Sequence, residues 1–190
     1  MTLRLSCLGD SLTRAQLSAD YVDQLGRDLP PGALEVSRFG VNGDLAYNLL
    51  QRLDQVLDTP ADVVTVLIGT NDARASVAGH PVEATMRRKH LPVRPTPTWF
   101  RDCLGEVVER LGAETDARVG LLSPPVLGQD LAGPAAAASG AVSRIVAELA
   151  SDLGVALLPL HDAQVAHLRR AGAPAIPYRE ATTGRVVGTL

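Results

Sequence analysis

The chain reads as an α/β protein, a three-layer sandwich with helices on both faces of a parallel sheet. Three observations predict this. Short aliphatic runs alternate with longer segments of helical period, the pattern of parallel β/α units. The third and fifth runs are apolar almost throughout, as strands buried on both faces are. The 190 residues are 46 % hydrophobic and 21 % charged, which suits one globular domain with a substantial core, spanning 1–190.

The five expected strands are "TLRLSCL" (2–8), "ALEVSRF" (33–39), "DVVTVLIG" (62–69), "ARVGLLS" (117–123) and "VALLPL" (155–160). After the first, Ser18 is the expected N-cap of a helix carrying Tyr21, Val22 and Leu25 and ending before "PPG" at 30–32. After the second, Leu49, Leu50, Leu53, Val56 and Leu57 share one helical face beyond Asp44. Phe100, Leu104, Val107, Val108 and Leu111 repeat the pattern after Thr98, and Val142, Ile145, Val146, Leu149 and Leu153 line a later helix entered through "GPAAAASGA". A short helix, "DAQVAHLRR", follows the fifth strand. Residues 73–97 have weak periodicity and four prolines, and they read as a long connection. Connections beyond about 12 to 15 residues in a compact domain are usually functional or disordered.

Composition narrows the function. A net charge of −3, with no basic block longer than "RRK" at 87–89, argues against a nucleic-acid partner. The two cysteines, Cys7 and Cys103, fall inside expected regular elements and form no metal-ligand spacing, so neither a disulfide scaffold nor a zinc module is expected. No apolar run reaches the 18 or so residues of a membrane span. The first strand starts almost at Met1, which leaves no room for a secretory leader and makes a cytoplasmic location the expectation. Seventeen arginines stand against a single lysine, Lys89, a bias of the kind GC-rich coding produces.

Ligands of parallel sheets gather outside the carboxyl ends of the strands. Three unusual stretches fall there: "GDSLT" after the first strand, "GVNGD" (40–44) after the second and "GTND" (69–72) after the third. Taken singly, each is an ordinary turn. Together at one sheet edge they make a candidate site. Ser11 on a sharp turn presents its hydroxyl as a nucleophile. Gly43 can bring its N–H close to a developing oxyanion, and the Asn71 amide can donate a further hydrogen bond.

These residues resemble the first three motif blocks of the SGNH hydrolases, also called GDSL lipases or acylhydrolases, in order, spacing and β/α placement over roughly residues 2–160. The resemblance implies Ser11 as nucleophile, and the Ser11 amide, Gly43 amide and Asn71 side chain as oxyanion donors. It implies a flavodoxin-like fold with strand order 2-1-3-4-5, and hydrolysis of a small-molecule ester or thioester through an acyl-enzyme. It implies no metal or organic cofactor.

The family's fourth block, an Asp-x-x-His pair after the fifth strand, has no counterpart in "HDAQVAHLRRAGAPAIPYREATTGRVVGTL". Two readings follow: a serine hydrolase whose base is missing or non-standard, or an inactive fold of the same type that binds a ligand or is a truncated product. With strand order 2-1-3-4-5, His161 lies three strand spacings from the first strand, roughly 14 Å, too far for direct proton transfer. His167 falls on the short final helix. His80 and His90 belong to the long connection beside the site and are expected, with Asp10, Asp72 and Trp99, to contact substrate. Trp99 would line an acyl pocket, and "RRKH" (87–90) would attract an anionic group. A missing terminal helix would uncover apolar sheet surface, so self-association is also expected.

Overall fold

The structure is a computed structural model and describes residues 2–16, 18–172, 174–176 and 178. Its elements run β1 (Leu3–Gly9), α1 (Ser11–Arg14), α2 (Tyr21–Asp28), β2 (Leu34–Gly40), α3 (Ala46–Gln51), α4 (Asp54–Leu57), β3 (Val63–Leu67), α5 (Thr70–Ala75) and α6 (Val82–Lys89). They continue as α7 (Pro97–Glu114), β4 (Arg118–Leu122), α8 (Pro134–Asp152), β5 (Ala156–Leu158) and α9 (Leu160–Ala171). All strand pairings are parallel, in the order β2-β1-β3-β4-β5. This is the three-layer α/β/α arrangement expected above.

The strand order decides which face each helix covers. β1 to β2 runs one way across the sheet, whereas β2 to β3, β3 to β4 and β4 to β5 run the other, and right-handed crossovers then place their helices on opposite faces. The apolar clusters agree. Leu8, Val64, Val66 and Leu121 pack with Leu49, Leu53 and Val56, with Phe100, Leu104 and Val107 of α7, and with Val142, Val146 and Leu149 of α8. Leu5 and Cys7, one residue out of phase in β1, join Val22 of α2 with Tyr21, Leu34 and Val36 in a smaller cluster.

Several local expectations are corrected. The cap of α2 is Asp20, whose side chain accepts from Asp23 N, while Ser18 donates to Leu12 O. The cap of α7 is Thr96, with Pro97 pre-set at the first helical position. The helix beyond Asp44 is two short pieces, α3 and α4, the first begun at Leu45 by the Asn48 side chain accepting from Leu45 N. The connection 73–97 is not structureless, because it contains the end of α5 and all of α6. β5 is not buried on both faces: its three residues are all exposed, Leu157 at 38 % and Leu158 at 42 %. Among the described residues it is the edge strand, bonded on one side only. No helix among the described residues is long and apolar enough to cross a membrane.

Candidate active site

β1 ends at Gly9, and the chain turns at Asp10 into the single helical turn of α1, which begins with Ser11. Asp10 is wholly buried, and its carboxylate accepts from Leu12 N at 2.9 Å, closing the turn that presents Ser11. Thr13, also buried, lies 3.1 Å from the Tyr21 hydroxyl and anchors the far side of that turn. α1 sits directly on the end of β2: a Cβ on Gly40 would fall 2.2 Å from Arg14 N, so only glycine allows this approach.

The second turn is fastened to the first. Val41 N donates to Gly9 O at 3.2 Å, and Gly43 has φ +75°, a left-handed conformation that favours glycine. Asp44 follows, 3 % exposed, with Arg52 Nε on one carboxylate oxygen and Lys89 Nζ on the other, each at 2.8 Å. Arg52 also donates from Nη2 to Gly9 O (2.9 Å) and Phe39 O (3.1 Å), tying the ends of β1 and β2 to the Gly43 turn.

The third turn closes the group. α5 begins after Gly69, and Asn71 in its first turn donates from Nδ2 to Asp10 Oδ2 (3.2 Å) and to Asp44 O (3.0 Å). Arg74 Nη1 donates to Asn71 Oδ1 at 3.2 Å. One buried amide therefore bridges the turns of Ser11 and Gly43. Both of its N–H protons are engaged, so serving an oxyanion requires the release of one bond, and the Asp10 bond is the longer.

Asp10 and Asp72, expected to contact substrate, are buried in the structure. Both carboxylates are buried and committed, Asp10 to Leu12 and Asn71, Asp72 to Ala46 N at 3.3 and 3.4 Å. Burial pushes the Asp10 carboxyl up to about 6, against the Leu12 N–H and with the help of the Asp44 charge. Burial pushes Asp72 up to about 7, opposed by the Ala46 N–H and assisted by Asp10. Both act as braces of the turns.

His80 Nε2 lies 2.9 Å from the Thr85 hydroxyl, inside the 73–97 segment. His90 is exposed and ends α6 in a left-handed conformation (φ +52°). Trp99 stacks on Tyr47 with ring centroids 5.0 Å apart, which joins the start of α7 to α3. His161 lies against α8, its ring 3.7 Å from where a Cβ on Gly140 would sit, and His167 is exposed on α9. Burial raises the thiols of Cys7 and Cys103, the latter to about 11, which makes both poor nucleophiles. Among the described residues no group of three His, Cys, Asp or Glu side chains could hold a metal ion.

The Arg52–Asp44–Lys89 brace is not among the residues expected from the sequence. A signal existed: Arg52 interrupts the apolar face of "NLLQRLDQVL" eight positions after Asp44, and a buried carboxylate requires a cation.

Comparison with known proteins gives this arrangement its context. No curated protein matches by sequence. Among solved structures, Axe2, an acetylxylan esterase from Geobacillus stearothermophilus, superposes with a TM-score of 0.72 at 18 % identity, covering 88 % of this chain and 80 % of its own. The acetyl xylan esterase AlAXEase gives 0.73 at 22 % identity, over 90 % and 83 % of the two chains. The lipase/acylhydrolase from Enterococcus faecalis gives 0.67 at 22 %, over 87 % and 80 %. At these identities the likeness is one of fold. Structures of catalytic mutants of Axe2 replace a serine, an aspartate, and a histidine three positions after that aspartate. The profile of the GDSL-like Lipase/Acylhydrolase family matches residues 7–176, so the chain belongs to this family of SGNH-type ester hydrolases.

Proposed function

We propose that Ser11 is the nucleophile of this hydrolase and that the reaction passes through an acyl-enzyme. Ser11 Oγ attacks the ester or thioester carbonyl while its proton passes to a base. The tetrahedral oxyanion is held by the N–H groups of Ser11 and Gly43 and by the Asn71 amide once it releases Asp10 Oδ2. Its collapse expels the alcohol or thiol, which takes up the proton, and water then cleaves the Ser11 ester. The observation that carries this reading is the pair of hydrogen bonds that Asn71 Nδ2 donates to Asp10 Oδ2 and Asp44 O, which gathers the Ser11, Gly43 and Asn71 turns at one sheet edge. The acetylxylan esterase neighbours make short acyl esters, acetylated sugars included, the first substrates to test.

One observation favours a second reading, a binding domain with a disabled reaction centre: both N–H protons of the Asn71 amide are already engaged, by Asp10 Oδ2 and Asp44 O. Rate separates the two. In the serine-protease template, a site that has lost triad members retains about 10³ to 10⁴ over water from its oxyanion hole and binding. Hydrolysis of p-nitrophenyl acetate by the wild type and by Ser11→Ala is the test. Ser11-dependent turnover above that residual range supports a functioning hydrolase. Ser11-dependent turnover within it supports the disabled centre, and turnover independent of Ser11 overturns the nucleophile assignment.

A further inference from the structure

The chain's single lysine lies over the turn that carries Gly43. Lys89 is the last residue of α6, its side chain only 14 % exposed. Its carbonyl accepts from Asn48 Nδ2 at 2.8 Å, which fixes the end of α6 beside α3. From there Nζ reaches Asn42 O at 2.5 Å and Asp44 Oδ1 at 2.8 Å. Its Cε lies 3.0 Å from the position a Cβ would take on Gly43, so the glycine makes room for the lysine stem.

The bond to Asn42 O has a consequence at the neighbouring atom. That carbonyl and the Gly43 N–H belong to one planar peptide unit, with oxygen and hydrogen on opposite sides. A cation gripping the oxygen fixes the direction of the N–H. It also draws electron density toward the oxygen and makes the N–H a stronger donor, as hydrogen bonds in series polarise one another. The second contact, to Asp44 Oδ1, holds the ammonium in place on Asn42 O. Arginine occupies every other basic position in the chain. Its broad fork does not replace a compact ammonium placed between a carbonyl and a carboxylate.

We infer that Lys89 is a positioning residue that aims and polarises the Asn42–Gly43 peptide as an oxyanion donor. This rests on the hydrolase reading above. It gives the 73–97 connection a role beyond shaping a substrate pocket: α6 carries the ammonium back to the Gly43 turn.

The test compares Lys89→Met, Lys89→Arg and Lys89→Cys, the last before and after alkylation with 2-bromoethylamine, which rebuilds an ammonium of nearly lysine length. Two readouts are taken: kcat and KM on p-nitrophenyl acetate, and amide hydrogen exchange of residues 42–44. Removing an oxyanion donor outright costs about 10²- to 10³-fold in kcat, so loss of its positioning should cost about 10- to 100-fold, with KM within about two-fold. Exchange at Gly43 should slow several-fold, because the Lys89 ammonium on Asn42 O makes the N–H of that peptide more acidic and its loss reverses this. Alkylated Lys89→Cys should recover both readouts and Lys89→Arg should not. A folded Lys89→Met with unchanged kcat and unchanged Gly43 exchange overturns the inference. If the wild type shows no Ser11-dependent turnover, the hydrolase reading fails instead. Exchange at Gly43 then still decides whether Lys89 holds the peptide.

Discussion

Arg52 donates from Nε to Asp44 Oδ2 at 2.8 Å, and both side chains are largely buried, at 14 % and 4 % exposure. The same guanidinium holds Gly9 O and Phe39 O, so one side chain joins the turns that follow β1 and β2. Breaking a buried pair by deleting one partner destabilises by about 3 to 5 kcal/mol, and Lys89 remains here to share the load on Asp44. Arg52→Met should therefore lower stability by about 2 to 3 kcal/mol in urea denaturation, with Arg52→Lys recovering less than half because it cannot reproduce the fork. An unchanged midpoint would remove Arg52 from its bracing role.

The buried carboxyl of Asp72 sets a pH dependence of stability. Its folded value of about 7 lies above the ordinary 3.8, so the folded state binds a proton that the unfolded state releases between those pH values. Stability from this group is therefore fully present below about pH 4 and is lost as the pH rises through 7. Asp10, at about 6, acts in the same sense. Asp72→Asn is neutral throughout, so the melting temperature of the wild type minus that of the variant should fall between pH 4 and pH 7. A flat difference would contradict the buried, proton-binding assignment.

Asn71→Ala leaves Asp10 Oδ2 and Asp44 O without their shared donor. Unsatisfied buried acceptors destabilise by about 1 to 3 kcal/mol, and loss of an oxyanion donor lowers kcat by about 10²- to 10³-fold. Chemical denaturation and ester hydrolysis should show both effects in the same variant. Reduced stability with full turnover would leave Asn71 as a brace alone.

The β5 edge exposes Leu157 and Leu158 and has no further strand bonded to it among the described residues. Unpaired apolar edges promote association. Light scattering at micromolar concentration should show self-association, reduced by Leu158→Lys. A monodisperse monomer in the wild type would refute it.

What was legible in the sequence was local. The glycine–polar turns at Asp10–Ser11, Gly43 and Asn71 occupy the carboxyl ends of β1, β2 and β3, because strand period and turn chemistry are written within a few residues. Their mutual bonding was not legible. Lys89 meets Asp44 across 45 positions and Asn71 meets Asp10 across 61, and only the fold makes them neighbours. The same distinction explains Asp10 and Asp72: composition marks a carboxylate as polar, whereas burial among Leu12, Asn71 and Ala46 turns each inward as a brace. β5 failed for a related reason. A continuous apolar run signals burial only where neighbouring layers cover both faces, and at this edge its three residues stay exposed.

In the proposed mechanism the turn closed on Asp10 presents Ser11 as the nucleophile. Its most direct test is incubation of the intact chain with a fluorophosphonate, followed by peptide mapping of the adduct by mass spectrometry. One adduct is expected, on the peptide containing Ser11, and none in Ser11→Ala. An adduct on another residue, or none while the wild type still hydrolyses p-nitrophenyl acetate, would contradict it.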